Sequence, residues 1–458
     1  MFPASAAAHG LVQRADLPIP EWLFGWGAAI VLVVSFAALA VLWPQPRLED
    51  AGWRALPGGV GRFFGSRPVE IATGALGVFL LGVSVWAGLV GTETALDNFT
   101  PTFILIFCWV GFVFASLLFG DVFRAVNPWR ALGRAAGSVF NRGGGRTFAA
   151  YPETLGRWPA ALGLLGFTWI ELASGYGEQP RKLAWAMILY TVVQFAGMAR
   201  YGTERWIERG EAFGVYFNLF ARISLWETRE RVLGTRPFLG GLPKLERMPG
   251  TTALIAVMIG TVTYDGLSQG KLWKKGIGEW VTDGSLDLGL GIQDAQRVAA
   301  TIGLLLGVGI VAGFYQLGIM GARSVGGGFT TTDLRRGFVH SLVPIAMVYA
   351  MAHYLTFLIY QGQSVKYLAS DPLGKGWDIF GTARDSGIDY SLLSQNATWY
   401  LQVGFVVLGH VAALMLAHDR ALVLYGQPKQ AVRSQYWMLG IMVGFTTLAL
   451  WLLAQANA

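Results

Sequence analysis

The chain has a single cysteine, Cys108, among 458 residues, so it cannot close an internal disulfide or build a cysteine metal cage. It is also poor in charge. Asp, Glu, Lys and Arg make up 14% of the residues, against about 25% in an average soluble domain. That shortfall excludes an ordinary soluble enzyme, a disordered chain and a coiled coil. Signature motifs are missing as well. There is no G-x-x-x-x-G-K-[ST] phosphate loop, no H-E-x-x-H zinc helix and no G-x-S-x-G elbow. Gly59, Gly61 and Gly65 do not have dinucleotide-binding spacing.

What is present is apolar. Hydrophobic residues make up 53% of the chain and the mean hydropathy is +0.46. A helix needs ~20 apolar residues to cross ~30 Å of hydrocarbon. Ten runs qualify: 21–43, 69–90, 101–120, 158–175, 183–200, 251–267, 298–322, 337–360, 397–417 and 436–454. The runs are continuous rather than alternating, which excludes a strand barrel. The expected class is an all-α integral membrane protein, a polytopic bundle of about ten transmembrane helices. The whole of 1–458 then forms one transmembrane domain.

Charge sets the orientation. The formal charge of +7 comes from 35 basic and 28 acidic residues. With the N-terminus outside, 25 basic residues fall in the loops 44–68, 121–157, 200–250, 323–336 and 418–435, and 10 fall on the other side. The acidic residues divide 13 and 15, giving +12 on one face and −5 on the other. This is the positive-inside pattern, with both termini outside. The surplus of basic residues is an orientation signal and implies no nucleic-acid partner; the partners expected are the lipid bilayer, a small solute or ion, and subunits of a membrane complex. With 27 Arg against 8 Lys, the composition suggests a GC-rich bacterial genome and a bacterial cytoplasmic membrane. Trp22, Trp43, Trp399, Tyr400, Tyr436 and Trp437 stand at span boundaries as interfacial anchors.

The loop lengths alternate long-short-long-short in both halves of the chain, which fits a 5+5 inverted repeat. The segment 201–250 carries Trp206, Phe213, Phe217, Phe220 and Leu225 near helical spacing, with Glu204, Arg205, Glu208, Arg209 and Glu211 between them. It reads as a cytoplasmic amphipathic helix in the membrane interface. Asn127-Pro128 marks a turn or helix start, and Gly143–Gly145 a flexible basic loop. Near the N-terminus, Ala6-Ala7-Ala8 resembles the end of a signal peptide. Cleavage there would expose His9, whose amine and imidazole suit copper.

Ionisable groups inside hydrocarbon cost at least ~2.5–3.5 kcal/mol each on insertion scales, so they point to sites. The candidates are Glu171, Asp265, His353 and His410, with His340 and His418 toward the inner surface and Tyr354 and Gln402 as polar companions. Four of the five histidines fall in 337–418. His353 and Tyr354 suggest a polar pocket between the eighth and ninth spans, open to the outside. A neutral imidazole there can exchange a proton.

Three functions follow as expectations. The first is a permease or ion-coupled transporter handling protons through His353, His410, Glu171 or Asp265, with no cofactor. The second is a redox protein holding haem b or copper through His340, His353, His410 and His418. His340 and His353 are 13 residues apart, ~20 Å along a helix, whereas His410 and His418 are only eight apart. The third is a membrane subunit or assembly factor docking a partner on 201–250.

Overall fold

The computed structural model describes residues 21–49, 52–140 and 148–457. The stretch around His9 and the Gly143–Gly145 loop lie outside the described residues. The major helices, in chain order, are α1 (Glu21–Leu42), α2 (Arg67–Val90), α3 (Phe99–Phe119), α4 (Val122–Val126) and α5 (Pro128–Phe140). They continue with α6 (Trp158–Leu172), α7 (Pro180–Tyr201), α8 (Thr203–Arg209), α9 (Ala212–Ala221) and α10 (Thr251–Gln269). The last five are α11 (Gly278–Asp287), α12 (Ile292–Arg323), α13 (Thr331–Ser370), α14 (Gln395–Tyr425) and α15 (Tyr436–Asn457).

Eight of these are long and apolar enough to cross a membrane: α1, α2, α3, α7, α12, α13, α14 and α15, the last counted from Pro428. The chain is therefore a multi-pass membrane protein. The two remaining apolar runs form α6, only 15 residues long, and α10, 19 residues with Asp265 among them. α10 is buried in the bundle, and α6 packs against it with Trp158 and Leu162 exposed on its outer face. They run side by side: Arg157, at the start of α6, donates from its N–H to the Pro249 carbonyl just before α10 (2.8 Å).

Burial separates the helices into a centre and a shell. The α13 window is 83% buried, whereas that of α1 is 22% buried. On α10, every residue from Leu254 to Gly266 is buried. Shell helices instead expose large apolar side chains, such as Ile71, Phe79, Leu189, Leu305 and Leu408. A helix that is apolar all round belongs in a core, and one with an exposed apolar face needs lipid against it. Tyr400, Tyr436 and Trp437 are exposed as interfacial anchors should be. Two expected anchors are not. Trp399 is buried edge-on against Phe24, and the Trp43 indole N–H donates to Asp419 (3.0 Å).

The connections gather at two ends. At one, Arg124 pairs with Glu204 and Glu208, Arg209 with Glu246, Arg231 with Glu70, and Arg420 with Glu49. At the other, Arg181 pairs with Glu93, and Arg297 donates to the Ser174 carbonyl. A three-stranded antiparallel sheet, β1 (Arg54–Ala55), β2 (Trp226–Arg229) and β3 (Val232–Thr235), closes the first end in the order β1-β3-β2. Burial pushes the Glu204 carboxyl up, but Arg130, the hydrogen bond from Arg134 and Arg124 together outweigh this and hold it below its ordinary value. The sign follows from linkage. The network's contribution is present above the unfolded carboxyl value, about 4.3, and is lost as pH falls through the folded value. The melting temperature should therefore fall on acidification below about pH 4, and Glu204→Gln should flatten that part of the profile.

The segment expected as one surface helix is not one. It breaks into α8, α9 and the β2–β3 hairpin, and Trp206, Phe217 and Phe220 are buried. The physical reason is in the composition of α9. Val215, Tyr216, Phe217, Leu219, Phe220 and Ala221 are all buried and spread over about two thirds of its circumference, too wide an apolar face for a helix lying at a surface. Two stretches read as loops thus fold back between the spans. α8 returns along α7, with the Trp206 indole N–H donating to Gln194 (2.8 Å). α4 and the start of α5 press on α2, where a Cβ at Gly77 would lie 1.8 Å from the Val126 carbonyl oxygen. Gly77 is ten residues, or about 15 Å, into α2.

The two returning segments meet. Asn127, just before α5, accepts from the Arg130 N–H (2.9 Å), and Glu211, the N-cap of α9, accepts from the N–H groups of Phe213 and Gly214. The Asn127 amide then donates to Glu211 Oε2 (2.9 Å), and the Tyr190 hydroxyl donates to Glu211 Oε1 (2.6 Å). Two helix N-termini, each with unsatisfied N–H groups, are capped by side chains that also bind one another. Gly77→Val should force this junction apart and destabilise the protein by about 1–3 kcal/mol or more. Gly82→Ala on the same helix, where nothing lies within 4 Å of the new Cβ, should not. Thermal unfolding of both variants checks this.

Candidate functional site

The site lies where α10, α13 and α6 come together in the bundle. Asp265 stands on the fully buried part of α10, and His353 and Tyr354 are consecutive on α13. His353 Nε2 lies 2.9 Å from Asp265 Oδ2, and the Tyr354 hydroxyl donates to the same oxygen at 2.9 Å. All three side chains are 2% exposed, so water has no open route to them. An ionised Asp265 requires the proton on His353 Nε2, which leaves the Nδ1 lone pair as the basic atom of the ring.

Glu171 on α6 adds a second carboxyl. Its Oε2 is buried without a hydrogen-bond partner among the described residues, and it sits in the electrostatic field of Asp265, Tyr354 and Tyr216. Tyr216 on α9 stacks on Trp109 of α3, with ring centroids 4.8 Å apart. The Trp109 indole N–H is likewise buried and unpartnered. Trp109 lies in Phe103–Gly111, which is wound as a π-helix, a departure from α geometry that recurs at functional sites. Asp265 is fully buried and Glu171 partly so; ionising both in a low-dielectric neighbourhood is costly without a proton or a cation nearby.

The other expected residues sit apart from this cluster. Gln402 on α14 donates to the Ala352 carbonyl (2.8 Å), bracing α13 one residue before His353. It does not join the Asp265 bond network. The partner of His353 thus comes from α10, 88 residues away, and not from α14. The sealed position also differs from a pocket open to the outside. His410 on α14 has Nδ1 2.8 Å from the Val406 carbonyl, and His340 on α13 has Nδ1 2.9 Å from the Gly337 carbonyl. His418 lies with Nε2 3.0 Å from the Trp43 carbonyl and Nδ1 3.2 Å from the Gln435 amide nitrogen.

Two of these four imidazoles have Nε2 engaged within the protein, and His340 and His410 keep Nε2 without a partner among the described residues. The facing nitrogens of His353 and His418 are taken by Asp265 and by the Trp43 carbonyl. His410 faces a pocket with room for about one water molecule. Among the described residues no group of three or more His, Cys, Asp or Glu could hold a metal ion.

Sequence reasoning missed Tyr216, Trp109 and Glu211. Tyr216 and Glu211 fall in a stretch read as cytoplasmic. Trp109 sits in an apolar run where one more aromatic carries no signal. The run Ala212–Ala221 directly after an acidic residue was the available sign of a capped, buried helix.

No protein-family model, curated protein or solved structure matches this chain. The class rests on the fold itself: a multi-pass α-helical membrane protein whose centre carries a sealed group of ionisable side chains.

Proposed function

We propose that this protein is a permease, a proton-coupled transporter of a small solute or ion in a bacterial cytoplasmic membrane. One observation carries the reading. Asp265, inside an apolar bundle, accepts hydrogen bonds from both His353 and Tyr354, and on the adjacent α6 Glu171 Oε2 is buried without a hydrogen-bond partner among the described residues. Ionisable groups at that depth are costly and are kept where protons or ions move. His353 and Glu171 offer a place to load a proton, and Tyr354 holds Asp265 in position as the charge changes.

The reading includes ten spans, with α6 and α10 completing the eight long helices and the basic end facing the cytoplasm. Both termini then lie outside, and the alternating loop lengths suggest a 5+5 inverted repeat. The reading needs neither haem nor copper. A partner protein on 201–250 is disfavoured, because α9 is buried in the bundle.

The experiment is current measurement on proteoliposomes challenged with sodium, potassium, ammonium and a mixture of amino acids. A pH-dependent current with at least one probe, lost in Asp265→Asn, supports the reading. No current with any probe, or an unchanged one in Asp265→Asn, overturns it. The bare His353 Nδ1 favours a second reading, an intramembrane enzyme with His353 as general base. A solute that is converted rather than moved would select it.

A further inference from the structure

A small pocket lies between α10, α13, α14 and α15, lined in part by Thr263, Tyr349, His410 and Ala449, with room for about one water molecule. Its tautomer chemistry is unambiguous. The Val406 carbonyl can only accept, so His410 Nδ1 carries the hydrogen at 2.8 Å and Nε2 presents a lone pair. That Nε2 is buried without a partner among the described residues, while His410 as a whole is 2% exposed. A buried acceptor left unmade is costly, and a site of this size with polar groups around it is where a buried water resides.

The pocket also adjoins the site. Tyr349 is one helical turn before His353 on α13, and Thr263 is two residues before Asp265 on α10. Farther along α13 toward the basic end, His340 repeats the arrangement, with Nδ1 on a carbonyl and Nε2 buried and unpartnered.

We propose that this pocket binds one water molecule, which donates a hydrogen bond to His410 Nε2 and relays protons between the Asp265–His353 pair and His410. The water accepts from the Tyr349 hydroxyl and gives its second hydrogen to Thr263 Oγ1, whose own hydrogen goes to the Ile259 carbonyl (2.9 Å). In one transfer it gives a proton to Nε2, forming an imidazolium. It takes one from the Tyr349 hydroxyl, which is refilled by the proton of the Asp265–His353 pair; the reverse transfer discharges His410, so water and tyrosine end as they began. The relay rests on the proton-coupled reading above; the water site does not.

Solid-state NMR on the full chain in lipid, labelled with nitrogen-15 at histidine, tests the water site. His410→Gln assigns the signal. We expect magnetisation transfer from water to His410 Nε2, and its loss in Ala449→Leu, which fills the pocket. No transfer to Nε2 in the wild-type protein overturns the site. Proton-coupled current tests the relay: Ala449→Leu and His410→Gln should each slow it roughly 100-fold with an unchanged melting temperature. Water at Nε2 with wild-type currents in both variants, or with no wild-type current, overturns the relay. An unaffected Asp265→Asn instead marks failure of the transport reading and leaves the NMR result standing.

Discussion

Asp265→Asn should abolish proton-coupled current, by roughly 100-fold or more, and leave the protein folded. The side chain keeps its shape, and the amide oxygen can still accept from Tyr354, which donates at 2.9 Å in the native site. What disappears is the negative charge that fixes the proton on His353 Nε2. A buried charge costs several kcal/mol to desolvate, so its removal offsets much of the lost bonding and the melting temperature should move little. Asp265→Ala should behave differently. It strands His353 and Tyr354 together, at about 1–3 kcal/mol for each unsatisfied group. Current and melting temperature measured on both variants separate a charge that works from a charge that only holds. Equal currents in wild type and Asp265→Asn would remove Asp265 from the mechanism.

The second large effect is on folding. Glu211→Ala should prevent recovery of a monodisperse protein, because Glu211 accepts four hydrogen bonds at the junction of the returning segments. It takes the N–H groups of Phe213 (2.9 Å) and Gly214 (2.7 Å), the Tyr190 hydroxyl (2.6 Å) and the Asn127 amide (2.9 Å). Each donor left buried and unpaired costs about 1–3 kcal/mol, and the whole protein has only about 5–15 kcal/mol to lose. Glu211→Gln keeps one acceptor oxygen and should fold with a lowered melting temperature. Glu279→Ala on α11 is the control, expected within about 0.5 kcal/mol of wild type. Size-exclusion profiles and thermal unfolding of the three read the result. A normal melting temperature for Glu211→Ala would mean the junction does not hold the two segments.

Much of this architecture was legible from the chain. The eight long helices coincide with eight apolar runs, because a membrane span imposes a length and composition that hydropathy reads directly. Asp265, His353 and Tyr354 stood out for the same reason, as polar groups where polar groups are costly. Their pairing was not legible. Adjacency in sequence rightly suggested α14 as a neighbour of α13, but the bond to His353 comes from α10. The helices α8 and α9 were hidden by their shortness. At 7 and 10 residues, interrupted by Gly210 and Glu211, they fall below the window that defines a span. Glu211 looks like a loop charge until the backbone N–H groups it caps are in view. Asn127-Pro128 did announce a helix start, but nothing local says that the helix begins level with the middle of α2.

We propose that the carboxyls of Asp265 and Glu171 share proton chemistry with His353 inside the bundle. The most direct measurement is the pH-difference infrared spectrum of the protein in lipid, in the carboxylic C=O region. Wild type should show a carboxyl band that gains intensity on acidification and is lost or shifted in both Asp265→Asn and Glu171→Gln. Identical spectra in the wild type and both variants would contradict the account.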